Sequence, residues 1–237
     1  MEIKTQGLVI GQIKYTGSRV ILHILTREKG LLSFITRVGG RSRPRALAQV
    51  CTLVELDFAY HEKNEIHSIK QIQLLDVLPN LKEDILKSTV SIFIAEILFR
   101  SLHKDYVNRE LFDNIRVLLN GLDKSNRVAM YPIWAVLILC FDLGLEIAIP
   151  EGKNKQLFDP VEGGFISVKG SYSELDIEAS EALKKMLIEF SSEETSEVPP
   201  PAVRKKVLSL LLEYIRERLE IRSSFRSHEV LEVILHH

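Results

Sequence analysis

The chain contains 237 residues, of which 46% are apolar and 27% are charged, and its formal net charge is −1. These values describe an ordinary folded protein and exclude one that attracts polyanions over its whole surface. The charge is unevenly distributed, because residues 1–78 carry 11 Lys and Arg against 7 Asp and Glu, whereas residues 151–198 carry 5 against 11. We therefore expect a local anion-binding surface in the amino-terminal part of the chain.

The sequence does not predict a signal peptide or a membrane span. The amino terminus, MEIKTQGLVIGQIKY, lacks the long apolar region of a signal peptide. The longest apolar run, from Ala129 to Phe141, has thirteen residues, which is too few to cross a bilayer. We expect a cytoplasmic protein that makes no membrane contact.

The first third of the chain predicts short β-strands. Alternation is visible in the fourth of them, where Val54, Leu56 and Phe58 occupy one face. Five strands in about seventy residues, with no helical pattern between the first three, favour a small closed barrel over a βαβ unit. One helical turn could lie between the third and fourth strands. The predicted strands are Gly7–Tyr15, Arg19–Thr26, Leu31–Val38, Val50–Tyr60 and Ile66–Leu75.

The pattern changes after residue 79, where the apolar period switches from two residues to about 3.6. Asn80 with Glu83 resembles a helix-starting cap, and Asn108 resembles the start of a second helix. A third helix should begin near Pro132, whose missing N–H does no harm in a first turn. Because this helix is apolar nearly all round, we expect it at the centre of a bundle.

The second part of the chain is predicted to be helical with one interruption. Residues 146–172 contain glycines, a proline and single apolar residues, which predict an irregular loop. The sequence thus predicts an α+β protein of two domains, a barrel over residues 1–79 and an all-α domain over residues 80–237. Further helices are expected near residues 176–190, 203–220 and 227–235.

Motifs of common enzyme active sites are missing from the sequence. It contains no phosphate-binding loop ending in Lys-Ser or Lys-Thr, no Gly-x-Ser-x-Gly and no His-Glu-x-x-His. His61 and His67 flank a predicted turn, where solvated residues are a simpler interpretation than metal ligands. Cys51 and Cys140 are most simply small buried apolar residues, and two thiols alone cannot form a Cys-type zinc site. We expect neither enzymatic activity nor a cofactor.

The positive signal is a cluster of arginines after the third predicted strand. Arg37 closes that strand, Gly39 and Gly40 break it, and three more arginines follow within residues 41–45. Guanidinium pairs with phosphate or carboxylate as a bidentate fork, so the cluster favours an anionic partner. The DNA-binding candidates in the predicted barrel are Lys14, Arg19, Arg27, Lys29, Arg37, Arg41, Arg43 and Arg45.

Aromatic residues are interleaved with these cations. Small barrels bind single strands by tracking the backbone with cations and stacking bases on rings. Tyr15 is the candidate for base stacking, whereas Phe34 and Phe58 suit the barrel core. The alternative interpretation, that these charges only solvate loops, stays open at this point.

A second basic group begins a predicted helix near residue 203. Cations in a first turn oppose the helix macrodipole, so these residues are not caps. They are either ordinary surface charges or an extension of the anion-binding track. The group consists of Arg204, Lys205 and Lys206.

At this point the order of motifs resembles a known family, the bacterial recombination-mediator and DNA-repair family RecO. The stretch GLVIGQIKYTGSRVILHILTREKGLLSFITRVGGRSRP is similar to the family's opening strands and basic loop. CTLVELDFAYHEKNEIHSIKQIQLL is similar to its fourth and fifth strands, and LFDPVEGGF looks like its Gly-Gly-Phe loop between helices. The resemblance covers nearly the whole chain.

The resemblance implies an amino-terminal OB-fold barrel followed by a helical domain. It also implies a non-enzymatic mediator that binds single- and double-stranded DNA and anneals complementary strands. Such a mediator helps a recombinase to replace single-strand-binding protein, working with RecR and in some species RecF. The family's pocket for the tail of the single-strand-binding protein lies in the helical domain. The alternative function is a protein-interaction adaptor, whose basic loop and helical groove receive acidic or hydrophobic peptides.

One departure from the family concerns zinc. Some members carry a four-cysteine zinc site around the Gly-Gly-Phe loop, but residues 146–173 contain no cysteine here. The family's zinc site is therefore expected to be lost. We expect packing of Phe158, Val161 and Phe165 onto the bundle to hold this loop instead.

Overall fold

The computed structural model describes residues 1–37, 45–104, 106–149, 156–167, 172–192, 198–225 and 227. The chain separates into two compact units, Met1–Val128 and Ala129–His237. The last barrel strand ends at Leu74, close to the predicted boundary at residue 79, but the first compact unit continues through further helices to Val128.

The first unit begins with a closed barrel, as the sequence predicts. In the described part of the chain its strands are β1 Glu2–Thr16, β2 Arg19–Thr26, β3 Gly30–Arg37, β4 Leu53–Ala59 and β5 Ile66–Leu74. They follow the order β1-β2-β3-β5-β4, and β3 runs parallel to β5 while the other neighbours are antiparallel. A 3-10 helix, Arg45–Ala48, fills the position of the expected turn between β3 and β4. This arrangement is an OB-fold.

The bounds of β1 and β4 differ from the prediction. β1 begins at Glu2 rather than Gly7, because its first residues pair with β4 and the remainder with β2. β4 begins at Leu53 rather than Val50, because Cys51 has a φ of 62°, outside the β region. One long strand therefore belongs to both halves of the barrel and closes it.

Alternating residues of the strands fill the barrel. Phe34 and Phe58 are fully buried, with ring centroids 4.9 Å apart in an edge-to-face arrangement, which confirms their predicted place in the core. The interpretation of His67 as a solvated turn residue is wrong. Its ring is buried and stacks on Tyr60 with centroids 5.3 Å apart, and burial lowers its pKa.

The helices of the first unit follow the barrel directly. In the described residues they are α1 Asn80–Glu83, α2 Ile85–Ser101 and α3 Arg109–Lys124. The predicted cap at Asn80 is wrong, because Asp84 caps α2 by accepting hydrogen bonds from the N–H groups of Leu86 and Lys87. The predicted start of α3 is confirmed, since the side chain of Asn108 accepts from the N–H of Leu111 at 2.9 Å.

The segment between α2 and α3 packs closely on the barrel. Gly30 has a φ of 65°, and a side-chain carbon there would overlap the carbonyl oxygen of Tyr106. Only glycine suits both the left-handed backbone and the close approach. The ring of His23 in β2 also lies 4.9 Å from that of Phe99 in α2. The barrel and these helices therefore form one packed body.

The second unit contains helices and one β-hairpin. Its described elements are α4 Tyr131–Asp142, β6 Gln156–Asp159, β7 Gly164–Ser167, α5 Glu174–Ser192 and α6 Pro201–Arg218. The prediction of a helical second part is confirmed, and the loop predicted as irregular over residues 146–172 contains this hairpin. Its turn is fixed by Asp159, whose carboxylate accepts from the N–H groups of Val161 and Glu162. Apart from Ser227, the predicted last helix lies outside the described residues.

The hairpin is held on the second unit by direct contacts. Phe158 is buried and its ring lies 5.8 Å from that of Tyr214 in α6, as predicted, whereas Phe165 packs against Phe158 within the hairpin. Val161 is 59% exposed, so its predicted packing is wrong. Arg218 adds a hydrogen bond of 2.6 Å from Nη2 to the carbonyl oxygen of Glu162. Within the described ranges, no helix combines the length and apolar character needed to cross a membrane.

Candidate nucleic-acid interface

Three predicted cations are exposed together where β1, β2 and β3 meet at one end of the barrel. Arg19 begins β2 and lies directly opposite Arg37, which ends β3. On the other side of β2, Thr16 of β1 lies opposite Arg19, and Lys14 lies opposite Val20. Within the described part of the chain, Lys14, Arg19 and Arg37 make no ion pair.

The pairing of Arg19 with Arg37 is unfavourable in the protein alone. Directly opposed residues on antiparallel strands have Cβ atoms about 5 Å apart, and like charges at that spacing reduce stability. A phosphate between two guanidiniums would convert this repulsion into attraction. The arrangement therefore suits the binding of an anion.

The strand register also sets what lies beside these arginines on the outer face. Val20 and Leu22 point into the barrel, so Arg19 and Ile21 point outward. Ile21 lies opposite Ile13 on one side and Ile35 on the other, which makes a row of three isoleucines across the sheet. We call Ile13, Ile21 and Ile35 the isoleucine row. It is the next outward row after Arg19 and Arg37.

Tyr15, the predicted base-stacking residue, lies beside these rows. It is 58% exposed and stands at an irregularity in the β1–β2 pairing, between Lys14 and Thr16. Bulges of this kind redirect a side chain and frequently border functional sites. Lys14 pairs with the inward-facing Val20 and so belongs to the opposite face of β1 at the barrel mouth.

Arg27 and Lys29 lie at the other end of β2, about 23 Å from Arg19 along the strand. Arg27 donates from Nε and Nη2 to the two carboxylate oxygens of Asp113 in α3, at 2.8 and 2.7 Å. This bidentate pair raises the pKa of Arg27 and holds the pKa of Asp113 below its usual value. The ammonium of Lys29 lies 4.6 Å from the centre of the Tyr60 ring. The structure thus does not bring Arg27 and Lys29 together with the Arg19–Arg37 pair.

A second bidentate pair joins α3 to the end of the barrel. Arg116 donates from Nε and Nη2 to Asp76 at 2.7 and 3.1 Å, and from Nη1 to Gln6 of β1 at 3.2 Å. Hydrogen bonds from Arg116, together with one from Asn120, lower the pKa of Asp76. The pairs centred on Arg27 and Arg116 therefore attach α3 to the barrel.

Three predicted arginines fall outside this description. Arg41 and Arg43, and the side chain of Arg45, lie outside the described residues. In the sequence they follow Arg37 by four to eight residues.

The second predicted basic group lies in the second unit, at the start of α6. Arg204 donates from Nη1 to the carbonyl oxygen of Pro199 at 2.6 Å, and burial lowers its pKa. Lys206 makes an ion pair of 2.7 Å with Asp176 of α5, and Lys205 is exposed. Arg204 and Lys206 thus have structural contacts within their own unit.

Sequence reasoning missed the isoleucine row. Its members were assigned only to strands, because an alternating pattern does not show which apolar residues point outward. The missing information is the register between strands, which places the three side chains side by side. The described residues also contain no group of three or more His, Cys, Asp or Glu that could hold a metal ion.

Comparison with known proteins finds similarity to one family. Residues 1–78 match the family model for the amino-terminal region of recombination protein O. The chain is 27% identical to the DNA repair protein RecO of Flavobacterium psychrophilum, over 99% of both chains. It is 24% identical to the RecO of Bacteroides fragilis strain YCH46 over 97% of both chains, and 29% identical to that of Phocaeicola vulgatus over 70% of both. The chain thus has an OB-fold barrel that matches the RecO amino-terminal model, and it is similar along nearly its whole length to proteins named DNA repair protein RecO.

Proposed function

We propose that this protein is a non-enzymatic recombination mediator that binds single- and double-stranded DNA and anneals complementary strands. In this proposal it assists the loading of a recombinase onto strands covered by single-strand-binding protein. Its partners would be RecR-like and RecF-like proteins and the tail of the single-strand-binding protein, and it would act in the cytoplasm without a bound cofactor.

One observation carries the DNA-binding part of this proposal. Arg19 and Arg37 are exposed and directly opposed on neighbouring strands, Tyr15 is exposed beside them, and Lys14 is exposed at the same end of the barrel on the other face of β1. A pair of like charges that has no acidic partner in the described structure is accounted for by an anionic ligand. The family's role in DNA repair makes a polynucleotide the natural choice.

The same arrangement supports annealing by a simple physical mechanism. Cations that neutralise phosphates on two strands lower the repulsion between them, after which base pairing supplies the specificity. No sequence preference is expected, because phosphate contacts position the DNA but carry no information about its bases. Annealing should therefore depend on the same residues as binding.

The test is the salt dependence of DNA binding. Binding to a single strand weakens as salt rises, so the plot of the logarithm of the binding constant against the logarithm of the salt concentration has a negative slope. For the double variant Arg19→Gln/Arg37→Gln, this slope should be less steep by about 1.4, since each lost phosphate contact removes about 0.7. The matched control is Lys124→Gln/Arg127→Gln, which removes two exposed cations from the end of α3 and beyond, in the same unit. Its slope should equal that of the unchanged protein.

Annealing of complementary oligonucleotides should slow with the Arg19 and Arg37 variant and not with the control. An unchanged slope and annealing rate would move the DNA path away from this end of the barrel. A protein that fails to shift a labelled oligonucleotide even at low salt would instead act as an adaptor for other proteins.

A further inference from the structure

We propose that the isoleucine row, together with Tyr15, is a surface that holds the unpaired bases of a single strand whose phosphates lie on Arg19 and Arg37. This inference rests on the proposed DNA-binding function and deepens it. It names single-stranded DNA as the ligand that this face of the barrel selects.

The first support is the exposure of these apolar side chains. Ile13 is 53% exposed and Tyr15 is 58% exposed, and Ile21 and Ile35 are half-buried. Tyr15 stands at the pairing irregularity between Lys14 and Thr16, two residues after Ile13 along β1, which places it next to the isoleucine row. The outer face of a small barrel is ordinarily polar where nothing covers it. A contiguous apolar row at this position therefore indicates a binding surface.

The second support is the spacing between the apolar and charged rows. Successive outward residues of a strand lie about 6.6 Å apart, so Ile21 and Ile35 lie one such step from Arg19 and Arg37. A nucleotide has the same order of features, a charged phosphate at one edge and a flat apolar base face at the other, joined by a sugar. The phosphate can lie on the arginines while the base covers an isoleucine.

The charge of the surface distinguishes its ligand. The outward row of Thr16, Arg19 and Arg37 and the adjacent isoleucine row contain three apolar side chains, two cations and no acid. The ligand is therefore anionic along one edge and apolar along the next. A single strand with its bases turned toward the sheet has this character along its whole length.

Duplex DNA cannot use the isoleucine row in this way. Its bases are paired and stacked on each other, so it presents phosphates and groove edges to a flat sheet. The arginines contribute to the binding of both forms, whereas the isoleucine row and Tyr15 contribute only where bases are unpaired. The face should therefore favour single strands over duplexes.

The test compares the double variant Ile13→Thr/Ile21→Thr with the unchanged full chain. Threonine keeps the branched side chain that suits a strand but replaces apolar surface by a hydroxyl. The dissociation constant for an oligo-dT strand should rise about five- to thirty-fold, as expected for the loss of apolar contact at two side chains. The dissociation constant for a blunt duplex of the same length should stay unchanged, as should the salt slope for both ligands.

The matched control is Ile85→Thr, which changes an isoleucine that is 75% exposed on α2. It should bind both ligands as the unchanged protein does. A second measurement needs no variant: an oligonucleotide carrying 5-iodouracil, irradiated on the unchanged protein, should cross-link to the peptide that contains Tyr15.

Several results would overturn the inference. Equal weakening for strand and duplex would show that the row acts through the phosphates or the fold. Unchanged binding to oligo-dT would leave the row to a protein partner, and cross-links confined to other peptides would place the bases elsewhere. If only these tests fail while the Arg19 and Arg37 variant still loses its salt slope, the proposed function stands and only the inference is refuted.

Discussion

Replacing Arg37 by glutamine should raise the stability of the first unit and lower its affinity for DNA at the same time. The two effects have one origin, the placement of Arg37 directly opposite Arg19 across β2 and β3. In the protein alone the two guanidiniums repel each other, whereas on DNA they share the attraction of a phosphate. Residues kept for binding at a cost in stability are expected at functional sites.

The size of the effect follows from Coulomb's law. Two unit charges about 6 to 8 Å apart in a water-like dielectric repel by about 0.5 to 0.7 kcal/mol. For a unit of this size such a gain raises the unfolding temperature by about 2 °C. The Debye length falls to about 3 Å at 1 M salt, so the gain should disappear there. Loss of one phosphate contact should lower the salt slope for a single strand by about 0.7.

The assay follows thermal unfolding by circular dichroism at low salt and at 1 M, and DNA binding by fluorescence anisotropy. The informative comparison is Arg27→Gln, which removes the same charge from the other end of β2. Because Arg27 forms a bidentate pair with Asp113, its loss should lower stability and leave DNA affinity unchanged.

The result that would refute this reasoning is specific. A lower unfolding temperature for Arg37→Gln, or a gain that persists at 1 M salt, would show that the opposed arginines do not repel each other. A loss of affinity as large for Arg27→Gln as for Arg37→Gln would show that the cations of the two ends form one surface after all.

Three other predictions concern stability. Because the pKa of Asp76 is lower in the folded than in the unfolded protein, its carboxylate stabilises the fold at pH values above the unfolded pKa near 4. In chemical unfolding, the unchanged protein should therefore have a larger free energy of unfolding than Asp76→Asn at pH 7. This difference should disappear as the pH falls below about 4. Gly30→Ala should lower the free energy of unfolding by about 3 kcal/mol, because it adds overlap with the backbone of Tyr106 to a left-handed conformation. Gly17 is also left-handed but has open space around it, so Gly17→Ala should lower the free energy of unfolding by only about 1 kcal/mol. Equal losses would contradict the role of the overlap. Arg218→Ala should lower the unfolding temperature of the second unit. A chelator added to the unchanged protein should leave this temperature the same. A lower unfolding temperature in the chelator would show that a metal holds the hairpin.

The barrel could be predicted from local patterns, but the site on it could not. Alternation and turn residues indicate where β2 and β3 lie, because these signals come from neighbouring residues. The pairing of Arg19 with Arg37 depends on the register between strands, which a single strand does not specify. The row formed by Ile13, Ile21 and Ile35 is invisible in the sequence for the same reason.

Contacts between distant parts of the chain were equally out of reach. Asp113 lies 86 residues after Arg27, and no local pattern pairs them. Closeness in the sequence therefore groups Arg27 with the other DNA-binding candidates of the barrel, although its side chain is directed to α3. The reverse error affected His67, whose place beside a turn suggested exposure while its strand directs it into the core.

The attachment of α3 to the barrel determines where the chain can be divided for experiments. Leu25 and Leu31 face each other on the outside of β2 and β3, yet they are only 2% and 6% exposed. A truncated protein ending at residue 78 would uncover this pair of leucines and leave Arg27 and Asp76 without their carboxylate and guanidinium partners, conditions that promote aggregation. Isolated domains for binding or crystallisation trials should therefore be cut after Val128.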